Sequence, residues 1–563
     1  MVAWDWVETT LKMYPELAIF LVLGIGYWIG SLKLGSFSLG PVTGTLLAGV
    51  LVGQIGIELS AQIKSVFFIM FLFAVGFGVG PQFVRGVASD GLPQAIFAVV
   101  ISALCLVAVY VAALLGGYGP GLAAGLLAGS QTISASIGLA TDAINNSSMS
   151  ATEASQQLDL IPVAYAITYL FGTVGTGWII AYLGPWLLRV NIVDECKRYE
   201  AEMAKGEPEG GISSAWRQYI SRAFVLHKEG VIAGKTVAEA EKFAGNRLFL
   251  ENLRRDGKII PFDDNTLLKV GDVVAVSGRH EILVDWSHQG DEIADKELLD
   301  TPVETIDLVV TNKEVDSKTL LELSQSANAR GVHITRIRRG AMSVDIPVQA
   351  QTVIYRGDIV RISGTKKHVD SIIKEFGYVD MPTTATNMVF VSLGIVAGGL
   401  IGALVVPVYG VPITLSTSGG ALVAGILLGW MRGFIPKLGQ VPSATLWFMN
   451  SVGLNIFIAV VGITAGPTFI AGLKQAGVGI FFFGLLATGI PMLLAPLIGK
   501  YIFRFDPAIN LGCCGGARTS TASVAMVADA AQSNVPMLGY TVPYAVSNTL
   551  LTLWGMVMVL LLT

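Results

Sequence analysis

Hydrophobic residues run along this chain in long blocks, with little strict alternation outside its middle. Apolar segments lie near 16–32, 39–56, 63–80, 92–116, 119–141 and 160–188, and again near 388–407, 413–430, 445–466, 475–498, 508–530 and 538–562. A helix needs about 20 apolar residues to cross a bilayer core, so most of these blocks predict membrane-spanning helices. Between the two sets, Asn191 to Ala385 holds 57 of the 78 charged residues. The order is apolar, polar, apolar.

Landmarks recur in both apolar sets. Ala48-Gly49-Val50-Leu51-Val52-Gly53 matches Ala424-Gly425-Ile426-Leu427-Leu428-Gly429, Gly80-Pro81-Gln82-Phe83 matches Gly466-Pro467-Thr468-Phe469, and Ala164-Tyr165-Ala166 is set against Pro543-Tyr544-Ala545. Such ordered repetition marks an internal duplication. If all six segments crossed, the halves would be parallel; if the glycine-rich fifth dips in and returns, each half has five crossings and the halves are inverted. The inverted arrangement, with both termini outside, puts Lys33, Arg85, Arg189, Arg432, Lys437, Lys500 and Arg504 on the cytoplasmic side and only Lys12, Lys64 and Lys474 outside. That distribution obeys the positive-inside rule. Gly-xxx-Gly spacings at Gly26/Gly30, Gly49/Gly53, Gly121/Gly125/Gly129, Gly398/Gly402 and Gly425/Gly429 predict close helix packing.

The polar middle also repeats. Val270-Gly271-Asp272-Val273-Val274-Ala275-Val276-Ser277-Gly278 returns as Arg356-Gly357-Asp358-Ile359-Val360-Arg361-Ile362-Ser363-Gly364, and Leu253-Arg254-Arg255-Asp256-Gly257 as Ile337-Arg338-Arg339-Gly340. Alternating apolar residues after a Gly-Asp turn predict a strand, and Thr319–Arg330 has helical spacing. The expected domains are an N-terminal membrane repeat (1–190), a linker (191–211), two small α/β modules (212–290 and 291–381) and a C-terminal membrane repeat (382–563).

Composition narrows the function classes. With 53% hydrophobic residues, 65 glycines and 14% charged residues, the chain reads as a membrane protein rather than a large soluble enzyme. A net charge of −4 carries no basic excess for a nucleic-acid partner. The four cysteines form no spaced framework, and all five histidines fall in the polar middle. No metal site, cofactor or nucleophile-base-acid constellation is therefore expected. The acidic, aromatic start (Trp4-Asp5-Trp6) predicts an uncleaved first span.

Two hydroxyl-rich stretches carry the candidate chemistry. Gly129-Ser130-Gln131-Thr132-Ile133-Ser134-Ala135-Ser136, running on to Asp142, and Gly516-Ala517-Arg518-Thr519-Ser520-Thr521-Ala522-Ser523, running on to Asp529, lie 387 positions apart inside apolar sequence. Irregular polar backbone at membrane depth is tolerated only where it is enclosed by protein or lines a watery cavity. The pair predicts two re-entrant segments that meet at one polar site, with Gly129 and Gly516 as the helix breaks. Ser134, Ser136, Thr132, Thr519, Ser520, Thr521 and Ser523 supply hydroxyls, and Gln131 of one copy faces Arg518 of the other. Arg518 is the one basic residue deep in an apolar segment, at a cost of at least about 2.5–3.5 kcal/mol on insertion scales. Its partner is either a substrate carboxylate held in a bidentate fork or a permanent ion pair with Asp142 or Asp529. Those two aspartates are alternatively coupling or capping groups.

The Gly-Asp-strand-Ser-Gly modules resemble the C-terminal domain of regulators of potassium conductance (RCK-C, TrkA-C-like), which implies a cytoplasmic dimerisation or ligand-sensing unit. The duplicated membrane halves around that pair, with the motifs beginning at Gly129 and Gly516, resemble the bacterial aspartate:alanine exchanger family. The resemblance implies an inner-membrane, multi-pass antiporter, embedded in lipid as a homodimer, that takes in aspartate and releases alanine. A small anionic amino acid or dicarboxylate would be its substrate, and relatives handling glutamate or succinate share the layout; the alternative that the RCK-C-like modules imply is a regulated ion channel.

Overall fold

The computed structural model describes residues 2–34, 37–38, 40–88, 91–203, 219–228, 230–243, 248–279, 283, 290–300, 303–324, 332–339, 344–379, 386–408, 411–432 and 441–563. The chain divides into two units: Met1–Glu200 with Arg339–Ile346 and Pro382–Thr563, and Ala201–Arg338 with Pro347–Met381. Of the expected linker, residues 204–211 lie outside the described residues, as does Lys437. Its beginning is helical instead, within Ile192–Met203.

The first unit is a helical membrane repeat in two copies. The first copy comprises α1 (Val2–Met13), α2 (Pro15–Ser31), α3 (Pro41–Gly53), α4 (Ala61–Ala88), α5 (Leu92–Gly116), α6 (Pro120–Ser130), α7 (Ala135–Asn145) and α8 (Ala151–Leu170). The last of these runs on to Leu188 through two π turns. The second copy comprises α9 (Met388–Gly402), α10 (Ser416–Arg432), α11 (Gly453–Ala476), α12 (Gly479–Tyr501), α13 (Pro507–Ala517), α14 (Thr521–Ala531) and α15 (Pro536–Leu562). Several start on a proline in the first turn, where its fixed φ suits a helix and no N–H is lost. Among the described residues six spans are long and apolar enough to cross a bilayer, and the pair of α1 and α2, bent by 112°, makes a seventh. The remaining positions of the two copies are filled by the shorter α3, α9 and α10.

The glycine spacings predicted to pack do so. A Cβ at Gly49 or Gly53 would collide with backbone of α11, and one at Gly425 or Gly429 with backbone of α4. The two copies thus grip each other reciprocally, as surfaces related by a two-fold axis do. Direction follows from the same contacts: Gly49 meets Gly462 and Gly53 meets Ile463 and Gly466, so α3 and α11 run parallel. Residues 54–60 between α3 and α4 reach at most about 25 Å, less than the roughly 30 Å bilayer core, so α4 must run back against α3. Helix α11 is the second-copy counterpart of α4 and points the opposite way. The repeats are inverted.

The second unit contains two modules with the same strand order. In the first, β1 (Tyr219–Leu226), β2 (Leu248–Arg255), β3 (Lys258–Ile260), β4 (Val273–Arg279) and β5 (Gly290–Ile293) form an antiparallel sheet ordered β3-β2-β4-β1-β5. In the second, β6 (Val303–Val310), β7 (Val332–Arg339), β8 (Ile359–Thr365) and β9 (Gly377–Val379) repeat the succession as β7-β8-β6-β9. Register shifts fall at matching places, Leu250/Asn252 and Ile334/Arg336. The Gly-Asp turns are real turns: Gly271 and Gly357 have φ of +87° and +85°, which a side chain would strain. The aspartates close them, Asp272 accepting from Lys269 N and Asp358 from Tyr355 N. Of the helix expected over 319–330, Leu320–Ser324 is helical and 325–330 lie outside the described residues.

Candidate substrate site at two hairpin tips

Each hydroxyl-rich motif is the tip of a re-entrant hairpin. Gly121, Gly125 and Gly129 of α6 abut the carbonyls of Gln157, Ile161 and Tyr165 of α8 in the same sense, so α6 and α8 run parallel. Helix α7 must therefore bring the chain back to the side from which α6 set out. The second copy repeats this: Gly512 and Gly516 of α13 abut Pro536 and Tyr540 of α15. These contacts also correct the landmark alignment. Gly129 meets Tyr165 O and Tyr169 N where Gly516 meets Tyr540 O and Tyr544 N, so Tyr165 corresponds to Tyr540 rather than to Tyr544.

The breaks are not at Gly129 and Gly516, which lie inside the first arms and serve close packing. They fall at Thr132 and Thr519, with φ of +57° and +52°. A left-handed threonine is unfavourable for a β-branched residue, and both copies retain it. Unusual backbone of this kind marks functional positions.

The two tips touch. Thr132 Oγ1 donates to Arg518 O at 3.1 Å, and Arg518 Nη2 donates to Ser130 O. Arg518 is 0% exposed. Its remaining partners are Thr176 Oγ1 at 3.1 Å and Cys105 Sγ at 3.7 Å. Neither Asp142 nor Asp529 pairs with it. The Ser130 carbonyl ends helix α6, where the helix dipole is negative, and this gives the guanidinium its counter-dipole. Thr488 Oγ1 donates to the same carbonyl at 3.2 Å. Gln131, also 0% exposed, donates through Nε2 to Ala487 O and Ser130 Oγ. Among the described residues, three buried polar atoms at this junction have no protein partner: Arg518 Nε, Gln131 Oε1 and Thr519 Oγ1.

The other predicted hydroxyls divide. Ser134 Oγ bonds Tyr165 OH at 2.6 Å, and its counterpart Thr521 Oγ1 bonds Tyr540 OH at 2.8 Å. Ser136 turns to Ile133 O, while Ser520 and Ser523 bond each other and cap α14. These three hold the hairpins together and do not reach the Arg518 junction. Asp142 lies at the hairpin stem, where the Ser416 and Ser418 hydroxyls hydrogen-bond it and Lys64 attracts it. Asp529 is exposed. Asn455 bonds Tyr27 OH and Ser451 O, as helix-joining residues do.

Sequence reasoning missed Thr176, Thr488 and Cys105. A signal existed for the first: Gly172-Thr173-Val174-Gly175-Thr176-Gly177 is another small, hydroxyl-bearing run in an apolar block. It forms a π turn at Phe171–Gly175, a distortion frequent at functional sites.

The sequence matches the family described as a predicted permease membrane region, Asp-Al_Ex, over residues 18–184 and 390–560. The chain belongs to this permease family. Residues 306–377 of the permease match the TrkA-C domain, which covers the second soluble module. It is 48% identical over 99% of its length to an uncharacterized transporter of Shewanella oneidensis, covering 100% of that protein. An uncharacterized transporter of Bradyrhizobium diazoefficiens is 37% identical over 91% of the permease and 99% of its own length, and one of Zymomonas mobilis is 32% identical over 99% of both. No solved structure matches. The permease is thus a multi-pass membrane transporter with a TrkA-C domain inserted between its membrane halves.

Proposed function

We propose that the permease is a secondary exchanger of small acidic metabolites, taking in L-aspartate and releasing L-alanine, at the junction of the two hairpin tips. The observation that carries this reading is the trio of buried, unpartnered atoms: a donor on a guanidinium, an acceptor on an amide and a hydroxyl. A carboxylate takes the Arg518 Nε donor and competes with the Ser130 carbonyl for Nη2, since an anionic acceptor binds a guanidinium more strongly than a neutral one. Gln131 Oε1 only accepts, which suits a substrate ammonium and favours an amino acid over succinate. Thr519 Oγ1, the third unpartnered atom, follows Arg518 directly in the chain, and Thr132 Oγ1 is bonded to the Arg518 carbonyl. Inward aspartate against outward alanine moves net negative charge into the cell, in a bacterial inner membrane with the TrkA-C unit cytoplasmic.

The test is uptake of labelled aspartate into proteoliposomes loaded with unlabelled aspartate or alanine, with glutamate and succinate as competitors. Loaded vesicles should take up label and empty ones should not. Equal uptake into empty vesicles rules out exchange; competition by succinate as strong as by aspartate rules out the amino-acid assignment.

A further inference from the structure

The helix Ile192–Met203 joins the membrane halves to the inserted unit, and its contacts single out one hairpin. Ile192, Cys196 and Met203 are buried at 7%, 0% and 8% exposure, and Val193 and Tyr199 are partly buried against the core of the membrane unit. That spacing gives the helix one apolar face. Its polar residues reach both ends of the second hairpin. Arg198 Nη2 donates to Asp506 Oδ2, and Arg198 is itself held by Glu195 at 2.7 Å. Asp506 is the N-cap of α13, accepting from Ala508 N at 3.0 Å. Glu200 accepts from the hydroxyl of Ser533, which lies between α14 and α15 and accepts from Val535 N. The first hairpin has different restraints: Gly121 N donates to Gln157 Oε1 at 2.8 Å within its own repeat, and Asp142 takes hydrogen bonds from Ser416 and Ser418 of α10.

The compact units divide after Glu200, so this one helix carries the Arg198 and Glu200 contacts and then enters the soluble unit within the same run of hydrogen-bonded turns. We propose that Ile192–Met203 is a clamp on the stem of the second hairpin, through which the inserted unit sets how freely that hairpin moves. Two anchor points, one at the entry and one at the exit of the hairpin, restrain it far more than either alone. The inference stands on the stem contacts and does not depend on which solute is carried.

Hydrogen exchange followed by mass spectrometry on the full chain in lipid nanodiscs tests it. In Arg198→Ala/Glu200→Ala, amides of the α13–α14 hairpin should exchange about tenfold faster, because local opening tracks the lost restraints. Amides of the α6–α7 hairpin serve as the internal control and should not change. Arg198→Lys, which keeps a cation near Asp506, should stay close to the parent. A Gly-Gly insertion between Ala201 and Glu202 interrupts the helix beyond both anchors and should loosen the same hairpin. Exchange of the second hairpin within about twofold of the parent in Arg198→Ala/Glu200→Ala overturns the clamp. A response to that variant but none to the insertion overturns the role of the inserted unit. Equal acceleration in both hairpins shows general destabilisation and also overturns the proposal.

Discussion

The two hairpins are built alike and finished differently. Both have a glycine-packed first arm, a left-handed threonine at the tip and a hydroxyl-to-tyrosine bond behind it. The first carries Gln131 where the second carries Arg518. The return arm α7 is buried along most of its length, whereas Thr521, Ala522 and Asp529 of α14 are exposed. At the stems, Asp142 meets Lys64, Ser416 and Ser418. In the repeat register those partners become Asn450, Gly40 and Val42, none of which carries a cation or a hydroxyl. Duplication supplied two like hairpins, and divergence left the first charge-neutral at its tip and latched at its stem through Asp142, the second bearing the guanidinium and held at its stem by Arg198 and Glu200.

The largest expected effect comes from removing that difference at the tip. Arg518→Ala should lower aspartate affinity by about 30-fold or more, as loss of a desolvated charge contact costs about 2–5 kcal/mol. Near-normal affinity by equilibrium binding would refute the carboxylate assignment. Moving the guanidinium across the pseudo-axis sharpens the point: Gln131→Arg in an Arg518→Gln background should recover part of the binding lost by Arg518→Gln alone.

Next come the first arms. Gly129→Ala and Gly516→Ala place a Cβ against the backbone of α8 or α15, and overpacking of this kind costs about 1–3 kcal/mol. Gly24→Ala, with open space around it, should leave thermal unfolding in detergent unchanged. Similar losses at all three positions would mean that the hairpin glycines are not close-packing residues.

The stems should differ more modestly. Asp142→Asn leaves Lys64 without its counter-charge and should cost about 1–2 kcal/mol, while Asp529→Asn should be silent. Equal effects on unfolding temperature would erase the latch.

The smallest effect lies in the soluble unit, where the modules show a parallel divergence. Ala223 pairs with Ala275 in the first, while at the same register Asp307 pairs with Arg361 in the second. Arg361, hydrogen-bonded at 2.7 Å, and then Arg338, at 2.6 Å, hold the Asp307 carboxyl below its usual range. A lowered carboxylate stabilises above its unfolded value, near 3.9, and that gain fades as pH falls through the lower folded value. Asp307→Asn should cost about 1 kcal/mol at neutral pH, given partial solvent screening, and nothing once the carboxylate is protonated. A pH-independent cost would show that packing rather than charge is lost.

Several of these features were legible in the residues. Apolar blocks of sufficient length gave the spans, lysine and arginine placement gave the inverted arrangement, and Gly-xxx-Gly spacing gave the helix contacts. The Gly-Asp repeats gave the paired modules. The site was legible only in part: the two motifs meet at their tips, where Arg518 bonds the Ser130 carbonyl and Thr132 the Arg518 carbonyl, but the break at Thr132 and Thr519 was assigned to the glycines that precede them. Glycine is the obvious residue for an unusual dihedral, and nothing local announces that a threonine adopts it instead. Tyr165 was aligned with the wrong tyrosine because each copy carries two, four residues apart, and only contact with Gly129 and Gly516 chooses between them.

By itself the sequence determined which segments must leave water and that they come in two related sets, since hydrophobicity and repetition are properties of the chain read one residue after another. Tertiary structure alone decided what faces Arg518. Ser130, Thr176 and Cys105 lie hundreds of positions away from it, on segments whose approach depends on close glycine contacts between copies. A buried charge takes whatever partner packing delivers, and no linear spacing encodes that delivery.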